Sequence, residues 1–393
     1  MREHPVRLLQ VPLAARFAAV PALLCLGAVL LTACSSSPSS PASSATTTTH
    51  HGAGASHPAG STTTTTPPST LPPVATSGPL QAGAPIALPF SADRVTAAES
   101  PDGAVFAAPQ DPTNPAPAIA WVIDGNGPAA IAEHVVTGIA ALAADSTNFY
   151  AATYSNVYAY NRTSGNQDGQ WNMPTVNAAN SSDSDLVALA TGGGNVFVSV
   201  TQGNTVSVYR FNPTASAGPH LVVRGLGDAI GADGSIYYER DDHHLAVLHP
   251  NGDTTVGPAL ADAPNGLGGG VQYVDVVAAG AVWVSEPAGQ GLDAEYTTYD
   301  ATTLARVGSY GGSVTSSVVD TAAGPLVLQP AGDSSNCPSP SPSSPVSCVL
   351  RIDEHGSTSD PVSVGAAVTL VGPGPAVIVS DTTTGQFDLV RLS

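Results

Sequence analysis

Few side chains in this chain are equipped for chemistry, and the densest group of them is DDHHLAV, Asp241 to Val247, in a sequence with ten histidines and only 10% charged residues. Carboxylates beside imidazoles can hold a divalent ion or pass a proton. The same residues also suit an exposed turn between two strands. Adjacent residues on a strand point to opposite faces, so His243 and His244 do not close on one ion as a pair. The turn reading leaves His243, with Asp241, as contributors to a pH-sensitive contact on an exposed rim. It carries the expectation that His243→Ala leaves folding nearly intact.

Other candidate motifs are thinner. DGNG at Asp124 opens like a calcium loop, but Pro128, Ala129 and Ala130 stand where oxygen ligands would be needed, and a Gly/Asn turn is expected there anyway. The sequence has no Walker loop, no His-Glu-x-x-His and no Gly-x-Ser-x-Gly. No catalytic residue and no definite metal ligand is assigned.

The four cysteines divide by position. Arg2 and Arg7 precede a mostly apolar run, Leu8 to Leu31, that ends in small residues; this order marks an export signal, with an N-terminal transmembrane helix as the alternative. LTACSSS, Leu31 to Ser37, resembles the lipobox of bacterial lipoproteins, and the resemblance implies that residues 1–33 are removed and Cys34 is acylated. Cys25 then leaves with the leader, and Cys337 and Cys348 remain as a disulfide pair suited to an oxidising compartment. Residues 34–80 are Ser, Thr, Pro and Ala with little else, a composition that cannot bury enough apolar surface to offset ordering; a disordered tether is expected.

Every one of the eleven basic residues is arginine. Loss of the leader removes three arginines and one glutamate, which moves the formal net charge from −19 to −21. A surface of that sign excludes nucleic acid as a partner and disfavours anionic headgroups. The expected membrane link is the lipid on Cys34, which places the protein on the outer face of the cell membrane or at the cell surface.

From residue 81 to residue 393 short Val, Ile, Tyr, Phe and Trp clusters alternate with Gly, Asn, Asp and Pro turns. The clusters recur. GAVFAAP, NFYAAT, NVFVSV, GSIYYER, GAVWVSE, GPLVLQP and GPAVIVS share a turn residue followed by an alternating apolar strand. Their central residues, from Phe106 to Val377, are 44, 47, 40, 46, 44 and 50 residues apart. Periods of this length with several short strands each predict the blades of a β-propeller. The expected fold is all-β: seven four-stranded antiparallel blades, with PIALPF, Pro85 to Phe90, supplying the strand that the last copy lacks. The pattern resembles the YVTN, quinoprotein-like and WD40-like propellers without the signature of any one of them, and the resemblance implies fold alone.

Propellers commonly present ligands on the loops joining second to third strands and fourth strand to the next first strand. Here that face is expected to carry Trp171, Asn172, Asp183, Asp185, Arg240, Asp241, His243, Glu286, Asp293 and Glu295, together with the Cys337–Cys348 loop. Long ordered loops in a compact scaffold are more often functional than decorative. The leading expectation is therefore a surface-anchored binding or scaffold module for an envelope protein or a polysaccharide. Two others stay open: a cation-dependent enzyme of the lactonase or glycan lyase type, and a component of extracellular electron transfer or of the cell surface. The enzyme reading needs Glu99, Asp145, Asp228 and Asp275 of the innermost strands to converge on a calcium ion, against their ordinary role as acceptors at strand ends.

Overall fold

The computed structural model describes residues 79–393 apart from short segments, the longest being 111–119, 174–185, 261–272 and 330–345. It forms seven four-stranded antiparallel sheets. The first blade holds β2 (Val95–Glu99), β3 (Val105–Pro109), β4 (Ala120–Asp124) and β5 (Gly127–Ala132), and the second holds β6 (Ala141–Ala144), β7 (Asn148–Ala152), β8 (Asn156–Asn161) and β9 (Gln167–Asn172). β10 (Leu186–Gly192), β11 (Asn195–Gln202), β12 (Thr205–Phe211) and β13 (His220–Gly225) make the third; β14 (Asp228–Ile230), β15 (Ile236–Glu239), β16 (His244–Leu248) and β17 (Thr254–Ala259) make the fourth. The fifth contains β18 (Tyr273–Ala278), β19 (Ala281–Glu286), β20 (Ala294–Asp300) and β21 (Arg306–Gly312), and the sixth β22 (Ser317–Val319), β23 (Leu326–Gln329), β24 (Ser347–Arg351) and β25 (Val362–Gly365). The seventh is completed from both ends of the domain: β1 (Ala82–Ser91) lies outside β28 (Gln386–Leu392), β27 (Ala376–Ser380) and β26 (Ala367–Val371).

That closure is the expected one. Ile86 sits opposite Leu389 and Pro85 opposite Val390. Gln81 and Ser393 exchange both backbone hydrogen bonds, at 2.9 and 3.0 Å. Pro85 and Pro89 cost no ladder partner on the outer side, because β1 is an edge strand.

The apolar alternation seen in the sequence packs blade against blade. Phe149 stacks on Phe106 of the first blade, 5.1 Å between centroids, and on Tyr160 of its own blade at 5.0 Å. Comparable clusters fill the other junctions, including Trp283 with Tyr296, Val327 and Leu350 between the fifth and sixth blades. Leu88, Ile378 and Leu389 of the seventh blade meet Val105 and Ile123 of the first. The core is thus a ring of interblade layers, and removing any one leaves two apolar sheet faces exposed.

Turns after the third strands share one device. The side-chain oxygens of Asn161, Asn212, Asn251, Asp300 and Asp353 each accept a backbone N–H two to four residues on, which fixes the reversal into the outer strand. DGNG makes the corresponding reversal in the first blade: Asp124 is the ladder partner of Gly127, whose φ is 100°. A positive φ of this kind favours glycine, so the motif is a strand reversal.

Candidate functional site

Asp241 and His243 lie in the hairpin between β15 and β16, as the repeat register predicts. Strands two and four of each blade run toward one face and strands one and three toward the other. This hairpin therefore stands on the face shared by the second-to-third loops and the blade-to-blade connections. Arg240 N–H donates to His244 O at 3.0 Å and His243 N–H to Arg240 O at 2.9 Å, closing the turn. His243 occupies the left-handed region with φ 61°, which swings its ring back toward the preceding strand.

The ring meets a buried acid. His243 Nδ1 is 2.7 Å from Glu239 Oε1; the imidazole side chain is 53% exposed and the carboxylate 1%. Burial pushes the Glu239 carboxyl above its ordinary pKa, and His243 pulls in the opposite direction. Glu239 Oε2 is buried without a hydrogen-bond partner among the described residues. Outside this pair, Arg240 reaches Asp242 at 3.1 Å, and His244 Nδ1 lies 3.1 Å from Asp242 O. Asp241 is exposed. The two imidazoles thus serve different partners, in agreement with the turn reading of the motif. His243 is nevertheless no spectator, because it faces a buried carboxylate; the expectation that His243→Ala leaves folding nearly intact is therefore one to measure. The missed signal was Glu239 itself, four residues upstream on the last position of a buried strand.

Several other rim residues fall differently from expectation. Asn172 is the last residue of β9, paired with Asn156, so it belongs to the ladder and not to the following loop. Trp171 is also a strand residue: its ring lies over Gly169 and packs against Phe211 of the next blade, 4.7 Å between centroids. Partial burial of that large surface between blades explains why a tryptophan stands beside polar residues. Glu286 and Glu295 are ladder partners at the mouth of the β19–β20 hairpin. Cys348 is buried on β24, opposite Gln329. Cys34, Asp183, Asp185, Asp293 and Cys337 lie outside the described residues.

The four innermost acids are dispersed. Glu99 closes β2 and Asp145 follows β6, whereas Asp228 begins β14 at the opposite end of its strand and Asp275 sits at a bulge within β18. Asp145 accepts the N–H groups of Thr147 and Asn148 and the Tyr150 hydroxyl, all within 2.8 Å, the strand-end role expected of it. Asp228 takes the Ser199 hydroxyl across a blade junction. Glu99 is fully buried against Arg391, Oε1 to Nη1 2.7 Å, at the seam between first and last blades. Desolvation outweighs the guanidinium and pushes the Glu99 carboxyl up to about 8. Among the described residues no three His, Cys, Asp or Glu side chains come together to hold a metal ion.

The opposite face, formed by the first-to-second and third-to-fourth turns, carries an open groove of about 340 Å³. It lies between Asn195, Arg210, Asn212 and His220 of the third blade and Pro250 of the fourth, above the buried ring of Phe211.

No family model and no curated protein matches this sequence. Among solved structures, the WD40 domain of Toxoplasma gondii coronin superposes with a TM-score of 0.52 at 12% identity, over 80% of this chain and 85% of that one. The chain shares its fold with WD40 propellers. The WD40 domain of fission-yeast SCAP gives a TM-score of 0.42 at 11% identity, over 79% and 98% of the two chains. The extracellular domain of BT4673 from B. thetaiotaomicron, a hybrid two-component system, gives 0.47 at 12% identity, covering 78% of this chain and 39% of that one. At 12% identity the likeness to the coronin domain shows the propeller fold alone and leaves the activity to the site.

Proposed function

We propose that the chain is an extracytoplasmic binding module, held to the membrane by lipid on Cys34 and carried clear of it by the Ser/Thr/Pro tether, that engages an envelope protein or polysaccharide through its loop-rich face. The observation that carries this reading is the Arg240–His244 hairpin. It presents three cations or potential cations, Arg240, His243 and His244, and two carboxylates, Asp241 and Asp242, on a tight turn, and the Glu239–His243 contact fixes it to the blade. A charged projection held rigidly loses little side-chain freedom on docking, which favours recognition. The Cys337–Cys348 link belongs to the same proposal, as a restraint on the longest connection of that face.

The test compares the intact protein with Asp241→Ala/Asp242→Ala and with a variant shortened within 174–185, in pull-down from envelope extract and on a glycan array. Loss of a ligand bound by the intact protein supports the reading; equal capture by all three removes this face from consideration. Cys34→Ser should release the protein from the membrane fraction, and retention there would refute the anchor.

A further inference from the structure

The third blade differs in charge from the rest of the molecule. No Asp or Glu occurs between Asp185 and Asp228, while Arg210, His220 and Arg224 do, in a chain that holds thirty acidic residues and eleven arginines. Arg210 and His220 are ladder partners across β12 and β13. Partners point to the same side of a sheet, with Cβ atoms about 5 Å apart. Both line the groove beside Pro250.

Arg210 is also chemically available. Arg162, Arg240 and Arg391 are each paired with a carboxylate, whereas Arg210 makes no ion pair among the described residues. It is half-buried, so its stem is already held in place. Of the fourth-blade acids on this face, Asp253 is occupied by the Asn251 amide at 2.8 Å, and Asp233, whose backbone lies against Gly193, by the N–H and hydroxyl of Ser235 at 2.9 and 2.8 Å. The groove amides are half used. Asn195 donates to Gly193 O at 3.1 Å, which leaves its oxygen as an acceptor. Asn212 Oδ1 takes the N–H and hydroxyl of Thr214, which leaves its NH2 as a donor.

We infer that this groove binds an acidic polysaccharide, with the carboxylate of a uronic acid residue on the Arg210 guanidinium. The planar fork matches a carboxylate with two parallel hydrogen bonds. The amides of Asn195 and Asn212 and the His220 ring face the flanking hydroxyls, whose mixed donor and acceptor character needs both kinds of partner. An acidic protein repels polyanions at long range, so a blade without acids is where such a ligand can approach. The site lies on the face opposite the Asp241 hairpin, and the inference stands independently of the loop-face reading.

The test is titration calorimetry of the whole protein at low salt with oligogalacturonate, neutral dextran, inorganic sulfate and poly-glutamate as probes. Expected is saturable binding of oligogalacturonate alone. Arg210→Gln should weaken it at least tenfold, Arg210→Lys and His220→Gln less, and Arg224→Gln, outside the groove, not measurably; thermal melts verify that each variant is folded. Binding of poly-glutamate or sulfate with equal affinity would overturn the saccharide assignment. Unchanged affinity in Arg210→Gln, or no oligogalacturonate binding, would overturn the site. The variant shortened within 174–185 should bind oligogalacturonate normally, so failure of the loop-face proposal and failure of this one are separately visible.

Discussion

Glu99 and Glu239 are both last residues of buried strands, both shielded from water, and both faced by a single cationic side chain, yet their partners differ in kind. Arg391 is mostly enclosed and stays protonated at any ordinary pH, donating also to the carbonyl of Gly103. His243 is half exposed, and an imidazole, unlike a guanidinium, is a cation only when protonated. The first pair joins two blades across a seam; the second ties a turn to its own blade. The comparison separates a clamp whose cation is constant from a brace whose cation itself comes and goes with pH, although the carboxylates look alike in the sequence.

The clamp is where breakage costs most. Arg391→Ala leaves Glu99 buried without its cation and removes a seam contact, and breaking such a pair costs about 3–5 kcal/mol. Urea unfolding at pH 8 should show a loss in this range, and a smaller one at pH 5, where a protonated Glu99 needs no counter-charge. A loss that is independent of pH would mean that packing of the arginine stem, and not charge, is what holds the seam.

The same acid sets a pH dependence. Its folded pKa, about 8, lies above the ordinary 4.5. Between those values the native state binds the extra proton, so stability is greatest at the acidic end and falls as pH rises through the window. The fall should be on the order of a few kcal/mol. Glu239, raised in the same direction, adds to it. Glu99→Gln should flatten most of the slope and match or exceed the parent stability at pH 8, measured by chemical denaturation across pH 5 to 8. A slope that survives the substitution would assign it elsewhere.

The fold was legible because its signals are local. Each blade repeats a turn residue and an alternating strand within about 45 residues, and five of them an Asx reversal, so the period exposes the ring. Even the closing strand could be inferred, because the last copy ends at Leu392 with three strands while an unassigned apolar segment precedes the first. Contacts between distant residues were not legible. Arg391 and Glu99 are 292 positions apart, and nothing in either segment names the other. Trp171 stands among polar residues at the edge of an expected loop, whereas its half-buried ring packs on Phe211, forty residues on in the next blade. The Glu239–His243 link spans only four residues, but it depends on a left-handed backbone at a histidine, which composition does not announce.

His243→Ala is the intermediate case. It keeps the unfavourable φ but strands the Glu239 carboxylate, and leaving a buried acceptor unsatisfied costs about 1–3 kcal/mol. The loss should shrink below the folded pKa of Glu239, where the protonated acid no longer needs a cation, and His243→Gln, which keeps a donor, should recover part of it at neutral pH. No change in either variant would make the hairpin self-supporting and deprive the brace of its role.

The smallest effect belongs to Asp241→Asn. Asp241 is exposed and contributes no ion pair among the described residues, so thermal stability should stay within about 0.5 kcal/mol of the parent. Any change then appears in recognition alone. Beside His243→Ala, which alters both, this variant distinguishes a hairpin that docks through its charge from one that serves only to seal the blade. Weakened ligand capture at unchanged stability supports the first; capture that falls only when stability falls supports the second.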